Sequence, residues 1–362
     1  MKRVIFTEIF KDETRFATKI PQQQYLSCGK YPIIDQGNQF ISGYFNSPKG
    51  IFEKGDAIVF GDHTRILKFI DHPFFIGADG VKILRPANPC DNIKFLYYAL
   101  KALKIPSLGY SRHFKILKES LVGYTTDRQR QNRIVEKLDK IILLISYREK
   151  QLLQLRSLAS SRFIEMFGDP VTNPHGWETR PLDKLGELNR GVSKARPRNS
   201  PDLLGGEYPL VQTGEVANSD TYITEFEQTY SEKGLAQSKM WKAGTLCITI
   251  AANIAQTAIL TFDACFPDSV VGFIANNQTR QLFIHHWFKF FQKVLEEQAP
   301  QVAQKNINLK ILKGLLVIAP PLALQDEFVA FIEQLDKSKV TIQKSLDRLN
   351  LLYKALLQEY FG

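Results

Sequence analysis

The chain has 362 residues, of which 44% are hydrophobic and 11% aromatic, so it exceeds one typical domain and can build more than one core. Lysine and arginine number 47 against 37 acidic residues, and the net charge of +10 favours polyanionic partners without distinguishing DNA from RNA or anionic lipid. No apolar run approaches the roughly 18 to 20 residues that span a bilayer, and the first residues lack a signal peptide's apolar stretch, so we expect a cytoplasmic protein.

Short strand-like segments broken by Gly, Pro and Asn occupy the beginning of the chain. Residues 56–60 and 80–84 read as strands, and residues 92–103 have the periodicity of a helix. This mixture predicts a first α/β domain over residues 1–125.

A long helical stretch follows over residues 126–167. Its apolar residues are spaced alternately by four and three, as in the seam of a coiled coil, with Arg148 as the one interruption. The seam consists of Ile134, Leu138, Ile141, Ile145, Leu152 and Leu155. Gly168, Asp169 and Pro170 then give a stop signal for the helix.

The same order of elements returns in the second half. Residues 246–250 and 270–274 read as strands and residues 281–297 as a helix, which predicts a second α/β domain over residues 168–320. A second long helix is predicted over residues 321–362, with Lys339 as the polar interruption of its seam. The seam includes Phe328, Ile332, Leu335, Ile342, Leu346 and Leu349, and continues to Tyr353, Leu356 and Tyr360.

The two stripes have two possible explanations. They could bury in ordinary domain cores, but a helix of about 36 residues is about 54 Å long, which outreaches a small domain. We therefore expect the two helices to cover each other as an antiparallel coiled coil, with the two globular domains at opposite ends in a pseudo-twofold relation. Such an arrangement can measure a distance along DNA, because equivalent sites about 34 Å apart face the same side of the duplex.

Matching fragments also indicate an internal duplication. Tyr31-Pro32 returns as Tyr208-Pro209, residues 115–118 return as 310–313, and residues 136–140 return as 333–337. Gly55 and Gly244, and Asp79 and Asp268, form weaker pairs. The offsets grow along the chain, from 177 through 189 and 195 to 197, so the second half reads as the first with loop insertions.

The cysteines and histidines give no sign of a metal site. The four cysteines contain no C-x-x-C pair, and the histidines have no ligand spacing beyond the adjacent His285 and His286. We expect reduced, mostly buried thiols, no bound metal and no cofactor in this chain.

Several segments resemble the specificity subunits of type I restriction-modification systems. Residues 157–170, followed by Asn173-Pro174-x-Gly176-Trp177-Glu178, look like the central region of that family. The helix start Gln131-x-x-Ile134-Val135-x-x-Leu138-Asp139 and the entry Pro320-Pro321-Leu322 leading to Gln325 are also similar to it. The resemblance covers essentially the whole chain; it departs before the first long helix, where Tyr124-Thr125-Thr126 replaces the Pro-Pro-Leu entry.

The resemblance implies a DNA-binding subunit that reads a split target, with one half-site per target recognition domain. The two spacer helices would dock two modification (methyltransferase) subunits, which bind S-adenosylmethionine and carry out catalysis, and restriction subunits with motor and nuclease activity would join them. Docking would involve the seam residues of the two long helices named above.

The second domain offers the richest candidates for DNA contact, because base edges are read by Arg, Lys, Asn and Gln presented from loops. Residues 190–199 hold four basic side chains and no acidic one, and the stretch resembles a loop found in a subset of these recognition domains, although a solvated surface is the common explanation of a charge run. The candidates are Lys194, Arg196, Arg198 and Asn199, with the amides Gln212, Asn253 and Asn306, each of which could instead cap a turn.

The first domain presents fewer such residues. Gln36 and Asn38 lie in one Gly-containing loop, His63 and Arg65 follow the predicted strand at residues 56–60, and Arg112 lies in a further polar segment. A catalytic pairing of His63 with Asp62 is poorly supported, since no nucleophile or third partner is indicated nearby.

Two other functions are conceivable. A methyltransferase would need a glycine-rich methyl-donor site and an Asn or Asp-Pro-Pro-aromatic motif. A nuclease of the common type would need an acidic residue two positions before a lysine to hold a metal ion. The sequence contains none of these motifs. A coiled-coil adaptor that binds only proteins would explain the helices, but neither the duplicated domains nor the charge of +10. We therefore expect a subunit without catalytic residues of its own.

Overall fold

The computed structural model describes residues 1–77, 80–109, 111–251, 254–291, 294 and 307–362. The chain divides into two compact units. Unit 1 comprises Met1–Lys150 and Gln343–Gly362, and unit 2 comprises Gln151–Ile342. The helices within the described residues include none that is long and apolar enough to cross a membrane.

Unit 1 is a mixed α/β fold, as predicted. Its strands are β1 (Lys2–Ile5), β2 (Phe10–Asp12), β3 (Tyr31–Ile34), β4 (Gly43–Phe45), β5 (Ala57–Gly61), β6 (Leu67–Ile70), β7 (Phe75–Ile76), β8 (Val81–Pro86) and β9 (Leu121–Tyr124). Its helices are α1 (Phe6–Ile9), α2 (Ile93–Lys101), α3 (Phe114–Glu119) and the first part of α4 (Arg128–Phe167), with 3-10 turns at Thr14–Phe16 and Gln22–Gln24.

Unit 2 is built from the same kinds of element. Its strands are β10 (Thr179–Pro181), β11 (Gly186–Arg190), β12 (Leu204–Leu210), β13 (Tyr222–Ile223), β14 (Gln228–Tyr230), β15 (Met240–Trp241), β16 (Leu246–Thr249), β17 (Thr257–Leu260), β18 (Ala264–Cys265), β19 (Val270–Ala275) and β20 (Leu316–Ile318). Its helices are α5 (Leu182–Leu185), α6 (Thr213–Asn218), α7 (Glu232–Ala236), α8 (Gln281–Trp287), α9 (Leu309–Gly314) and the first part of α10 (Leu322–Phe361), with 3-10 turns at Pro201–Leu203 and Phe288–Phe290.

The sheets of the two units have the same topology. The order β2-β8-β5-β6 in unit 1 recurs as β11-β19-β16-β17 in unit 2, where β13 adds one more strand. The second sheets also correspond, because β3 pairs in parallel with β7 as β12 does with β18. Each unit closes with a two-stranded pair, β1-β9 or β10-β20. The duplication predicted from the sequence is therefore present in the fold.

Two buried glutamines define the register of this duplication on the long helices. The Gln131 Oε1 atom accepts from the backbone N–H of Asn92, which caps α2, at 2.7 Å. In the same way the Gln325 Oε1 atom accepts from the N–H of Arg280, which precedes α8, at 3.1 Å. The equivalent positions are thus 194 residues apart, so the offset of 197 inferred from residues 136–140 is wrong by three residues, nearly one helical turn.

The long helices contribute to the core of each unit. In unit 1, Ile134 and Leu138 near the start of α4 pack in one cluster with Leu357 and Phe361 at the end of α10. Unit 2 shows the reverse combination, since Phe163 at the end of α4 lies 5.5 Å from Phe328 near the start of α10, measured between ring centroids. The two helices are therefore antiparallel, as predicted, and within each unit they also bury against the sheet-bearing part.

Candidate functional site

The basic segment 190–199 lies where strands of unit 2 end. β11 ends at Arg190 beside the start of β19, and β16 ends at Thr249 opposite Val270. Gly191 and Val192 donate backbone hydrogen bonds to Val270 and Phe266 at 2.8 and 3.1 Å, after which the chain leaves the sheet. We name this edge, formed by the end of β11, the end of β16 and the start of β19, the loop end of unit 2.

Asp268 contacts all three arginines of this segment. Its carboxylate lies 2.6 Å from Arg198 and 3.7 Å from Arg196, and its carbonyl oxygen accepts from Arg190 Nε at 3.0 Å. The side chains of Arg196 and Arg198 remain 58% and 43% exposed. Because one carboxylate faces two guanidinium groups, the cluster keeps a positive charge that can meet a phosphate or the edge of a guanine.

The backbone of the segment is held by the two residues that follow α7. The Gln237 side-chain oxygen accepts from the N–H groups of Lys194 and Ala195 at 2.7 and 3.0 Å, and the Ser238 hydroxyl donates to Val192 O at 2.7 Å. Lys194 itself is exposed. Asp268 and Gln237 were not identified from the sequence, since each lies at least 38 residues from the segment that it supports.

Three of the polar candidates of unit 2 border a small cleft of about 110 Å³. Arg198, Asn199 and Gln212 line it together. The Gln212 amide donates to Gln228 at 3.1 Å. Gln212 is also the N-cap residue of α6, where its backbone N–H donates to the Glu215 carboxylate at 3.0 Å. Asn253 and Asn306 lie outside the described residues.

In unit 1 the corresponding edge lies at the end of β5 and the start of β8, where Gly61 pairs with Val81, and we name it the loop end of unit 1. Gln36 and His63 meet there, since the Gln36 Oε1 atom accepts from the His63 N–H at 3.1 Å. Asn38 is exposed in the same loop as Gln36.

A buried lysine supports the loop that carries Gln36 and Asn38. Lys68 is 5% exposed, and its ammonium group donates to the carbonyl oxygens of Asp35 and Gln39 at 2.8 and 2.5 Å. Burial lowers the pKa of Lys68, an effect that the charge of Asp35 opposes. Lys68 was also missed, although a lysine within an otherwise apolar strand was a signal.

Asp62 and His113 have structural roles. The Asp62 carboxylate accepts from the Phe114 N–H at 2.7 Å, and the His113 Nδ1 atom donates to Asp62 O at 2.9 Å. These bonds tie the segment of Asp62 to that of the exposed Arg112. Arg65 has a φ of 62° and donates to Ile105 O at 3.0 Å, so its guanidinium is partly engaged within unit 1.

Most seam residues predicted to dock partner subunits are at least partly buried in the chain itself. Ile134, Leu138 and Ile141 in unit 1, and Phe328, Ile332 and Leu335 in unit 2, are at most 8% exposed, as is Leu346. Ile145, Leu152, Ile342 and Leu349 are half-buried. The exposed apolar side chains of the long helices include others, such as Ile142, Leu143, Leu144, Tyr147, Leu153 and Leu158.

The lysine that interrupts the second seam takes part in an ion-pair cluster in unit 2. The Lys339 ammonium lies 2.9 Å from Asp220 and 3.1 Å from Asp336. Burial raises the pKa of Asp220, but Lys339, with Arg156 and Lys289, outweighs that effect and holds the pKa below its ordinary value. Burial holds the pKa of Asp336 above its ordinary value.

The paired histidines His285 and His286 are buried, and the four cysteines are free thiols. Burial lowers the pKa of His285 and lowers that of His286 to about 3, and the His285 Nδ1 atom lies 3.0 Å from the Thr257 hydroxyl. Within the described ranges no three His, Cys, Asp or Glu side chains are placed to hold a metal ion. Cys247 and Cys265 are buried, but Cys28 and Cys90 are exposed, so the expectation of mostly buried thiols is met by only half of them.

These features define a protein of two repeated α/β units. Each unit has the same sheet topology and presents amide and basic side chains at its loop end, while two long helices serve both units. A family model described as "Type I restriction modification DNA specificity domain" matches residues 174–351. The chain is therefore similar to the specificity subunits of type I restriction-modification systems, with the family model matching its second half.

Individual relatives and solved structures show the same similarity. The specificity subunit of the type I restriction enzyme EcoR124I/EcoR124II of Escherichia coli is 21% identical over 94% of this chain and 88% of its own length. The EcoBI specificity subunit of the same organism is 23% identical over 55% of this chain and 44% of its own. The crystal structure of a type I S subunit from M. genitalium has a TM-score of 0.60 at 17% identity, covering 100% of this chain and 96% of that one.

A second structure, from work on assembly and conformational transition of the type I R-M system, has a TM-score of 0.57 at 16% identity and covers 99% of this chain and 97% of that one. At these identities the two structures establish the fold. The similarity to type I specificity subunits in sequence comes from the family model and the curated relatives.

Proposed function

We propose that this chain is the DNA-recognition subunit of a type I restriction-modification complex and reads a two-part target, with one half-site per unit. The observation that carries the proposal is the repetition of one topology in two units, each with amide and basic side chains at its loop end. Arginine and amide side chains are the groups that read base edges, and basic charge binds the phosphate backbone.

The chain acts without catalysis of its own in this proposal. Asp62, the acidic neighbour of His63, is engaged with the backbone of α3. Methyl transfer and S-adenosylmethionine binding belong to two modification subunits, and DNA cleavage belongs to restriction subunits, all of them in the cytoplasm with the DNA. We assign to this chain the DNA contacts and the placement of the partners.

Docking of the modification subunits is assigned to the outer faces of the long helices. The seam side chains are needed to support the fold. Other apolar side chains of the long helices are 46% to 67% exposed, among them Leu143 and Tyr147 in unit 1 and Leu153 and Leu158 in unit 2. Exposed leucine and tyrosine side chains on helices are well suited to burial against a partner.

The direct test of DNA contact uses the double substitution Arg196→Ala and Arg198→Ala. We expect the affinity for target DNA to fall about 5- to 150-fold for each arginine that reads a base. For each arginine that instead binds a phosphate, we expect the slope of log affinity against log salt concentration to become less steep by roughly one. Gel-shift titrations at several salt concentrations measure both effects.

A matched control removes two other ion-paired basic residues of unit 2, Arg180 and Lys242, whose partners are Glu178 and Asp263. Arg180 lies beside Gln278, which follows β19, and Lys242 precedes the start of β16. Both are therefore near the strand ends opposite the loop end of unit 2. This control is expected to bind DNA like the wild type. Equal affinity and salt dependence in both variants would contradict the proposed contact, and a wild-type chain without salt-sensitive DNA affinity would favour the adaptor.

A further inference from the structure

Unit 1 contains a counterpart of the basic segment 190–199. This counterpart lies earlier in the chain than the DNA-contact residues predicted for unit 1. In unit 2 the segment starts after β11, where the Val192 N–H donates to Phe266 O at 3.1 Å. In unit 1 the chain leaves β2 at Asp12, and the Ile20 N–H donates to Ile76 O at 3.0 Å.

These two bonds occupy equivalent places in the fold. Ile76 follows Phe75, which pairs with Ile33 of β3, and Phe266 follows Cys265, which pairs with Leu210 of β12. Since β3 and β12 are equivalent strands, the stretch between Ile20 and β3 corresponds to the stretch between Val192 and β12. The basic residues of unit 2 therefore have their structural counterpart in residues 21–30.

Three consecutive glutamines stand in that stretch, in the 3-10 turn Gln22–Gln24. All three are exposed, and in the parts of the chain that the structure describes their side-chain amides form no hydrogen bond. Gln36, by contrast, already accepts a bond from His63. The three glutamines thus have amide groups available for a ligand.

The turn is fixed next to the loop end of unit 1. Tyr25, which ends it, packs against two glycines: a β-carbon at Gly43 would lie 2.9 Å from the Tyr25 Cβ atom, and one at Gly77 would collide with the Tyr25 hydroxyl oxygen. The same added atom at Gly77 would lie 2.7 Å from the Cβ atom of Asp35, the neighbour of Gln36. The glutamine turn and the Gln36 loop therefore belong to one surface.

The charge of the surroundings suits a nucleic acid. Between Glu13 and Asp35 the chain contains Arg15, Lys19 and Lys30 and no acidic residue. All three basic residues are exposed. They can meet phosphates on either side of a groove that the amides enter.

We propose that Gln22–Gln24 is a base-reading element of the first recognition domain and that it selects an A·T pair, an inference that rests on the proposed function. A glutamine amide pairs with adenine by donating to N7 and accepting from the N6 amino group. Arginine pairs with guanine in the same bidentate way, so the arginine-bearing loop of unit 2 and the glutamine turn of unit 1 favour different bases.

The test compares the full-length wild type with the triple substitution Gln22→Ala, Gln23→Ala and Gln24→Ala in selection of bound duplexes from a randomised DNA library. We expect the variant to lose its preference at an A·T position of one half-site, with discrimination falling about 5- to 150-fold per bidentate pair. The other half-site is expected to stay as in the wild type. The salt dependence of binding is expected to stay unchanged, because neutral amides release no counterions.

The matched control replaces three exposed glutamines of the long helices, Gln129, Gln154 and Gln334, by alanine and is expected to keep both half-sites. Thermal unfolding of both triple variants near the wild-type temperature verifies that they are folded. Unchanged selection in the glutamine-turn variant would overturn the inference, and an effect confined to a G·C position would overturn its choice of base. A wild type that selects no sequence at all would instead refute the proposed function.

Discussion

Replacing Phe163 by alanine is expected to lower the free energy of unfolding of unit 2 by about 3 to 5 kcal/mol, the usual cost of removing a large aromatic side chain from a packed core. Phe163 is fully buried near the end of α4. Its ring centroid lies 5.0 to 5.5 Å from those of Phe167, Phe283, Phe290 and Phe328. The substitution therefore removes the aromatic centre that joins α4 and α10 to α8.

Chemical denaturation measures the loss in free energy of unfolding, and amide hydrogen exchange shows which unit is destabilised. The neighbouring substitution Ile164→Ala is the matched control, because Ile164 is 37% exposed on the same turn of helix. It is expected to cost far less, within about 1 kcal/mol. If both substitutions cost the same, the packing assigned to Phe163 is incorrect.

Replacing Gln325 by alanine is expected to destabilise unit 2 by about 3 kcal/mol or more, because several buried groups lose their partner and each unsatisfied group costs about 1 to 3 kcal/mol. Gln325 is fully buried. It accepts from the Thr279 hydroxyl at 3.0 Å and from the Arg280 N–H at 3.1 Å, and it donates to Pro320 O at 2.9 Å. Gln334→Ala on the exposed face of the same helix is the control.

The duplicated glutamine allows a sharper version of this experiment. Gln131 is also fully buried and donates to Asp91 and to Thr125 O at 2.9 and 2.7 Å. Gln131→Ala is expected to increase hydrogen exchange in unit 1 and Gln325→Ala in unit 2. Exchange that increases equally in both units for either variant would contradict the separate roles given to the two glutamines.

The periodic parts of the fold could be predicted from the sequence. Seam spacing and the stop signal at Gly168 indicated long helices over residues 126–167 and 321–362, and the structure has helices at Arg128–Phe167 and Leu322–Phe361. Periodicity reports which face of a helix is buried, but not what covers it. This is why the sequence could not show that each long helix is divided between two units, at Lys150 and at Ile342.

The candidate site could be predicted only in part, for a related reason. A basic loop is visible in sequence as a run of charge, as at residues 190–199, but its supporting groups are distant in the chain. Asp268 and Gln237 hold that loop, and Lys68 holds the loop of Gln36. The glutamine turn was overlooked because its significance appears only when Ile20 and Val192 are seen at equivalent backbone positions.

The most direct test of the two-reader account is to co-express the chain with its modification subunit in a host that lacks other adenine methylation and to map methylated adenines across the genome. The account predicts one split motif, two short specific parts separated by a gap of fixed length. Absence of new methylation, or a single uninterrupted motif, would contradict it.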